Sequence, residues 1–128
     1  MDPMHSFELL EKLESDYQFL RESLTELADI LIHSRTEERI AGAFKKCQSV
    51  AGDLFRDEES AMTAHGCTAL AANKAGHGKF MKDLGIFEHE YLIHRAGIPL
   101  AIQIRGTMLP WLHEHHHVID RQMARVMA

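Results

Sequence analysis

Apolar residues recur every three or four positions along most of this chain, which is the spacing of one buried helix face. The first segment has the most regular stripe, formed by Leu10, Leu13, Tyr17, Leu20, Leu24, Leu27 and Leu31. No segment alternates apolar and polar residues in the manner of a β-strand. The spacing therefore predicts an all-α fold.

Three further stripes follow the first one. The second consists of Ile40, Phe44, Cys47, Val50 or Ala51, Leu54, Glu58 and Met62. The third consists of Leu70, Asn73, His77, Phe80 and Leu84, and the last of Ile104, Met108, Leu112, His115, Ile119 and Met123. We expect four helices at about 6–33, 36–65, 68–84 and 99–126, with a less regular connection over 86–99 and a disturbance at Pro110.

The length of 128 residues suits one domain, 1–128. Four long amphipathic helices with short connections predict an antiparallel up-down-up-down four-helix bundle. The net charge of −5 gives no reason to expect nucleic acid as a partner. Since no apolar run would cross a bilayer and no secretory signal pattern is present, we expect a cytoplasmic protein without a membrane partner.

Several polar residues occupy core positions of the predicted helices. They are Tyr17, Glu58, Asn73, His77 and His115, with Asp120 a little over one turn beyond His115. An unpaired buried carboxylate is costly, so such residues normally have partners. Two histidines and two carboxylates that converge between helices have the composition of a non-haem metal site.

The segment Trp111–Asp120 holds four histidines and two carboxylates, and some of these side chains need no metal to account for them. His116 and Asp120 are four residues apart, so an ordinary ion pair would account for the aspartate. His113 and His117 are also four apart, and a solvated histidine cluster is the simpler interpretation for them. Cys47 and Cys67 form no metal-type pair and are expected to be buried thiols.

Three motifs resemble those of hemerythrin-type domains of the bacterial HHE kind. They are Trp111-Leu112 with His115 and Asp120 on the last helix, the segment Leu54–Met62 on the second, and Asn73 with His77 and Phe80 on the third. The resemblance implies a four-helix bundle that holds a carboxylate-bridged di-iron centre and binds dioxygen. In this chain Leu54 and Asn73 stand at two histidine positions of the family, and Tyr17 is the best first-helix candidate for a third.

The resemblance with these departures implies a reduced metal site made of Glu58, His77, His115 and Asp120. Asn73 and Tyr17 are expected as additional ligands or as hydrogen-bond donors to the ligands. Two histidines with carboxylates suit one Fe(II), Zn(II) or Mn(II) ion, and iron is the metal we expect. Dioxygen or nitric oxide would be the small ligand of such a site.

The sequence leaves three functional hypotheses. The first is a non-haem metal-binding module that senses oxygen, nitric oxide or the metal itself. The alternative is a metal-free relic of the bundle, without a cofactor, that acts as a structural or regulatory protein through a protein partner or homo-oligomer. An enzyme is not expected, because no nucleophile motif or phosphate loop is present, and a non-haem iron oxidase or peroxidase is the third hypothesis.

Overall fold

The computed structural model describes residues 3–34 and 36–127, with the side chains of residues 7–34 and 36–127. Three long helices come first: α1 (Pro3–His33), α2 (Glu37–Ala64) and α3 (Leu70–His94). A continuous helical stretch follows, made of α4 (Gly97–Gln103), a π-helical segment (Ile104–Met108) and α5 (Leu109–Met127). The described residues contain no strand, so the predicted all-α class is confirmed. The ends of the predicted domain, residues 1, 2 and 128, lie outside the described residues, as does residue 35.

Helix α3 is longer than predicted. The expected end at Gly85 is wrong, and the expected irregular connection over 86–99 is helical as far as His94. A single glycine inside a helix costs only about 1 kcal/mol relative to alanine, and Leu84 and Tyr91 bury their side chains on either side of it. The helix ends at Arg95, which adopts the left-handed conformation with φ of 54°.

The expected disturbance at Pro110 takes the form of the π-helical segment just before it. The Leu109 backbone N–H donates to the carbonyl oxygen of Ile104, five residues back instead of four. Proline has no N–H to donate, and its ring clashes with the carbonyl four residues earlier in a regular helix. A wider turn before Pro110 relieves that clash while the helix continues to the histidines.

The four apolar stripes form the core, as predicted. The largest side chains that lose nearly all solvent contact come from every stripe: Leu13, Leu20, Leu24, Leu27, Ile40, Phe44, Leu54, Met62, Leu84, Ile104, Leu112 and Ile119. Helix α1 contacts α2, α4, the π-helical segment and α5, and α2 also contacts α3. The polar side chains that share this interior are therefore held between rigid helices.

Helix α4 approaches the backbone of α1 very closely at Gly97. A Cβ atom built on Gly97 would lie 2.0 Å from the carbonyl oxygen of Leu31. Only glycine allows this contact, because backbone atoms cannot move aside as a flexible side chain can. Gly97 therefore determines how the last helical stretch is placed on α1.

The two cysteines are free and buried, as predicted. Burial raises the pKa of the Cys47 thiol to about 12. Its Sγ lies 3.2 Å from the Ser23 carbonyl oxygen, to which it donates. None of the helices in the described part of the chain is long and apolar enough to cross a membrane.

Candidate metal centre

Three helices bring Glu58, His77 and His115 to one point in the interior. Glu58 lies on the core face of α2, His77 on that of α3, and His115 on α5. The exposed fraction of the side chain is 1% for Glu58, 4% for His77 and 8% for His115. These three are the predicted site residues that the structure places together.

The three ligand atoms are spaced as the ligands of one ion would be. His77 Nε2 lies 3.0 Å from Glu58 Oε1, and His115 Nε2 lies 3.6 Å from the same oxygen. The two Nε2 atoms are 2.9 Å apart. Ligands about 2.0–2.1 Å from a tetrahedral ion are roughly 3.3 Å from one another. The observed spacing brackets that value, so one transition-metal ion fits between the three atoms.

Glu59 fixes the orientation of the His77 ring. Its Oε2 lies 2.7 Å from His77 Nδ1, so in the neutral tautomer that nitrogen carries the proton and donates to the carboxylate. The lone pair of neutral His77 is then on Nε2, which faces Glu58 and His115. A carboxylate behind a histidine in this way is typical of metal ligands, where it sets the tautomer and raises ligand basicity.

The Glu58 carboxylate is deeply buried and poorly satisfied by hydrogen bonds. Neither of its oxygens accepts a well-directed hydrogen bond from any described residue, although His77 Nε2 lies close by. Burial by itself raises the pKa of Glu58, but His115 and His77 outweigh that effect and lower it. Glu58 is therefore a buried anion that still lacks bonding partners, as a ligand for a cation would be.

Aromatic rings hold both imidazoles in place. Phe55 stacks on His77 with the ring centroids 4.2 Å apart, and Trp111 stacks on His115 at 4.6 Å. A Cβ atom on Gly76 would come within 3.2 Å of Trp111 Cζ2, so glycine leaves the space that the indole occupies. Rigid packing of this kind fixes the ring directions before any ligand arrives.

Asp120 does not join this group, contrary to our expectation. Its carboxylate lies with His116 and Glu14 in a second group between α5 and α1. Five residues along a helix correspond to a rotation of about 140° past a full turn, so Asp120 and His115 point in different directions. The ion pair of His116 with Asp120, the simpler interpretation, agrees with the 3.5 Å separation of His116 Nε2 and Asp120 Oδ2.

The second group is less suited to a metal. His116 Nε2 lies 2.5 Å from Glu14 Oε2, while its Nδ1 is buried with no hydrogen-bond partner among the described residues. A metal at Nε2 would require the proton on Nδ1, where it would be unsatisfied. His77 differs, because its Nδ1 has an acceptor in Glu59. The group of Glu58, His77 and His115 is therefore the better metal site.

Tyr17 and Asn73, predicted as additional ligands or donors, have other contacts. The Tyr17 hydroxyl lies 3.2 Å from His113 Nδ1, and its ring stacks on His116 with centroids 3.9 Å apart. Asn73 Nδ2 donates to Gln122 Oε1 at 2.9 Å. The Tyr17 hydroxyl and the Asn73 amide nitrogen are therefore engaged with side chains other than the three ligands.

Sequence reasoning assigned no role to Glu59, Phe55 or Gly76. Glu59 and Phe55 belong to the quoted α2 motif, but nothing in the linear sequence shows that Glu59 reaches a histidine 18 residues away on another helix. Their positions, one residue after and three residues before Glu58, place them near the core face of α2. This closeness to Glu58 in the sequence is the signal that could have pointed to Glu59 and Phe55.

Replacing Glu59 by alanine is expected to weaken metal binding by about 10–100-fold, because the Nδ1 partner of a ligand histidine is lost. Glu59→Gln keeps an oxygen acceptor and should recover part of that loss. The measurement is competition for Zn(II) against a chromophoric chelator. An affinity of Glu59→Ala equal to that of the native chain would show that the Glu59 contact does not support the site.

Comparisons of this chain with protein-family models, with curated proteins and with solved structures found no match.

Proposed function

We propose that this chain is a hemerythrin-like bundle that binds one divalent transition-metal ion at Glu58, His77 and His115. The observation that carries the proposal is the buried Glu58 carboxylate, which accepts no well-directed hydrogen bond from the described residues while two imidazole Nε2 atoms face it. A buried anion in this state is costly in an empty site and becomes favourable when a cation completes it. The role proposed is binding rather than catalysis.

The antiparallel up-down-up-down topology is part of the proposal, and the contacts between helices support it. As the residue number rises along one helix, the number of its contact partner falls. The pairs are Lys12–Asp57 and Ser23–Cys47 for α1 and α2, Gln48–Glu88 and Glu59–His77 for α2 and α3, Asn73–Gln122 and His77–His115 for α3 and α5, and Glu14–His116 and Tyr17–His113 for α1 and α5.

Iron(II) is the metal we propose, with Zn(II) and Mn(II) as the other ions that this ligand set accepts. Two histidines and one carboxylate leave coordination positions open on any of these ions. An open position on iron suits a diatomic ligand, so the proposed role is to hold the metal or to sense dioxygen or nitric oxide. The chain's own part is to fix the three ligands, through the stacked rings and the Glu59 contact.

The test is elemental analysis of the untagged protein, as isolated and after anaerobic loading with Fe(II) or Zn(II). We expect about one ion per chain, the capacity of a single three-ligand site. The only tryptophan, Trp111, stacks on His115, so its fluorescence should change during the titration and saturate at the same ratio. No retained metal in any preparation would contradict the proposal. A ratio of about two would show that further ligands contribute.

A metal-free interaction protein is the second candidate. Its support is that a protonated His77 would lie between Glu58 and Glu59, at 3.0 and 2.7 Å, and form an ion-pair group without a metal. Large exposed apolar side chains at Leu92, Ile93 and Ile98 would then be candidates for a partner surface.

Stability without metal and affinity for metal should depend on pH in opposite directions. Burial lowers the pKa of His77, but Glu58 and Glu59 outweigh it and raise the value, while the pKa of Glu58 is lowered. In the metal-free protein the raised histidine pKa stabilises the fold fully below about pH 6.5, and the lowered Glu58 pKa does so above about pH 4.3. Stability without metal should therefore be highest between these values and should fall as the pH rises through the raised pKa of His77.

Metal binding should instead strengthen over the same rise in pH, because the ion requires deprotonated histidines. Thermal unfolding at pH 6 and pH 8, with a chelator or with Zn(II), measures both trends. If the chain binds metal, Zn(II) should raise the melting temperature more at pH 8 than at pH 6. A Zn(II) effect that is absent at both values would favour the metal-free candidate.

A further inference from the structure

A wide groove runs along the outside of α2 and α3 beside the candidate metal centre. Its volume is about 840 Å³, within the range of small-molecule sites. The lining residues of α2 lie between Gly52 and Ala64, and those of α3 lie between Lys74 and Met81. On each helix they recur every three or four positions. The groove is therefore formed by one face of each helix, next to the faces that build the core.

Small residues keep the groove open. A Cβ atom on Gly52 or Gly78 would meet no heavy atom within 4 Å, so packing does not require glycine at either position. Glycine inside a helix costs about 1 kcal/mol relative to alanine. In this groove the two glycines leave open space that larger side chains would fill.

Two cationic side chains border the groove, although the chain as a whole carries −5. Arg56 and Lys74 line it from opposite helices, and both side chains are exposed. Arg56 Nη2 pairs with Asp53 at 3.0 Å, and its Nε lies 3.9 Å from Asp57 Oδ1. Both are surface contacts of small energy, with which a bound anion would compete. The one carboxylate in the lining, Glu59, is already bonded to His77.

The remaining lining supplies an apolar floor and hydroxyl groups. Phe55 and Met81 provide the apolar surface, and Ser60 and Thr63 carry hydroxyls at the edge. The Thr63 hydroxyl donates to the Glu59 carbonyl oxygen at 2.8 Å, which fixes its position. Cations above an apolar floor match a molecule with one anionic end and an apolar body.

We propose that this groove binds a small organic anion, with its carboxylate or phosphate on Arg56 and Lys74 and its apolar part on Phe55 and Met81. The inference goes beyond metal binding, because none of these four residues belongs to the three ligands of the metal centre. The two sites are neighbours, because His77 also lines the groove and Phe55 stacks on it, so the groove is tested without metal.

The test is calorimetric titration of chelator-treated full-length protein with benzoate as the probe. We expect saturable binding that weakens at least about tenfold in Arg56→Gln and in Lys74→Gln, as for loss of a charge-assisted hydrogen bond. Lys45→Gln, which changes an exposed lysine of α2 outside the groove lining, is the matched control and should bind as the native chain does. Gly78→Leu should abolish binding by filling the groove.

Circular dichroism of each variant establishes that the helices remain. Three results would overturn the inference: no saturable binding of benzoate, equal binding by the native chain and both charge variants, or equal binding of uncharged benzyl alcohol. Since the titration is done without metal, such a result would not contradict metal binding at Glu58, His77 and His115.

Discussion

Replacing His77 by alanine is expected to lower the affinity for Zn(II) by more than about 100-fold. Loss of a group that only orients a ligand already costs about 10–100-fold, and loss of the ligand itself should cost more. His77 is also the residue with the shortest approach to Glu58, at 3.0 Å, so its removal leaves that carboxylate with His115 alone. Chelator competition on the purified variant gives the affinity directly.

The matched control is His89→Ala, since His89 lies on the same helix outside the metal centre. It should bind Zn(II) as the native chain does. Without metal and below about pH 6.5, where a protonated His77 pairs with Glu58, His77→Ala is expected to be less stable by about 3–5 kcal/mol, the cost of breaking a buried ion pair. His115→Ala provides a second variant that removes one ligand from a different helix. Native affinity in folded His77→Ala and His115→Ala would refute the assignment of these ligands.

Substituting Gly97 by alanine is expected to destabilise the fold by roughly 3 kcal/mol, the upper part of the usual range for overpacking. The added Cβ would lie 2.0 Å from the Leu31 carbonyl oxygen and 2.9 Å from its carbonyl carbon. Both are backbone atoms of α1, so relief requires a shift of α4 as a whole. Chemical denaturation of the metal-free protein measures the loss.

Gly42→Ala is the control for this substitution. Gly42 is exposed within α2, and a Cβ atom there meets nothing within 4 Å. Alanine should stabilise that helix by about 0.5–1 kcal/mol, since it has the higher helix propensity. Opposite signs for the two glycine substitutions are the expected result. Equal stability of Gly97→Ala and the native chain would mean that α4 does not approach the α1 backbone so closely.

The helices could be predicted because their apolar residues share one face, and burial of that face dominates over local preferences. The predicted end of α3 at Gly85 is wrong, because α3 continues through this glycine to His94. Local rules allow glycine to end a helix, but burial of Leu84 and Tyr91 on both sides of it keeps the helix going. The π-helical turn before Pro110 could be expected as a disturbance, but its form depends on packing.

The site could be predicted in part. Glu58, His77 and His115 stood out because a polar residue in an otherwise apolar stripe must meet a partner in the core. The expectation that Asp120 joins His115 came from the resemblance. Helix spacing favours His116, four residues from Asp120, over His115, five residues away. The Glu59 contact and the stack of Phe55 on His77 arise between helices, where sequence spacing carries no information. Trp111 and His115 lie four residues apart on α5, and that spacing does indicate their contact.

The most direct test of the central claim is anomalous X-ray scattering from crystals of the Zn(II)-loaded protein, measured on both sides of the zinc absorption edge. Our account predicts one strong peak within about 2.0–2.2 Å of a Glu58 oxygen and of the Nε2 atoms of His77 and His115. A peak only at Glu14, His116 and Asp120, or no peak in the interior, would contradict it.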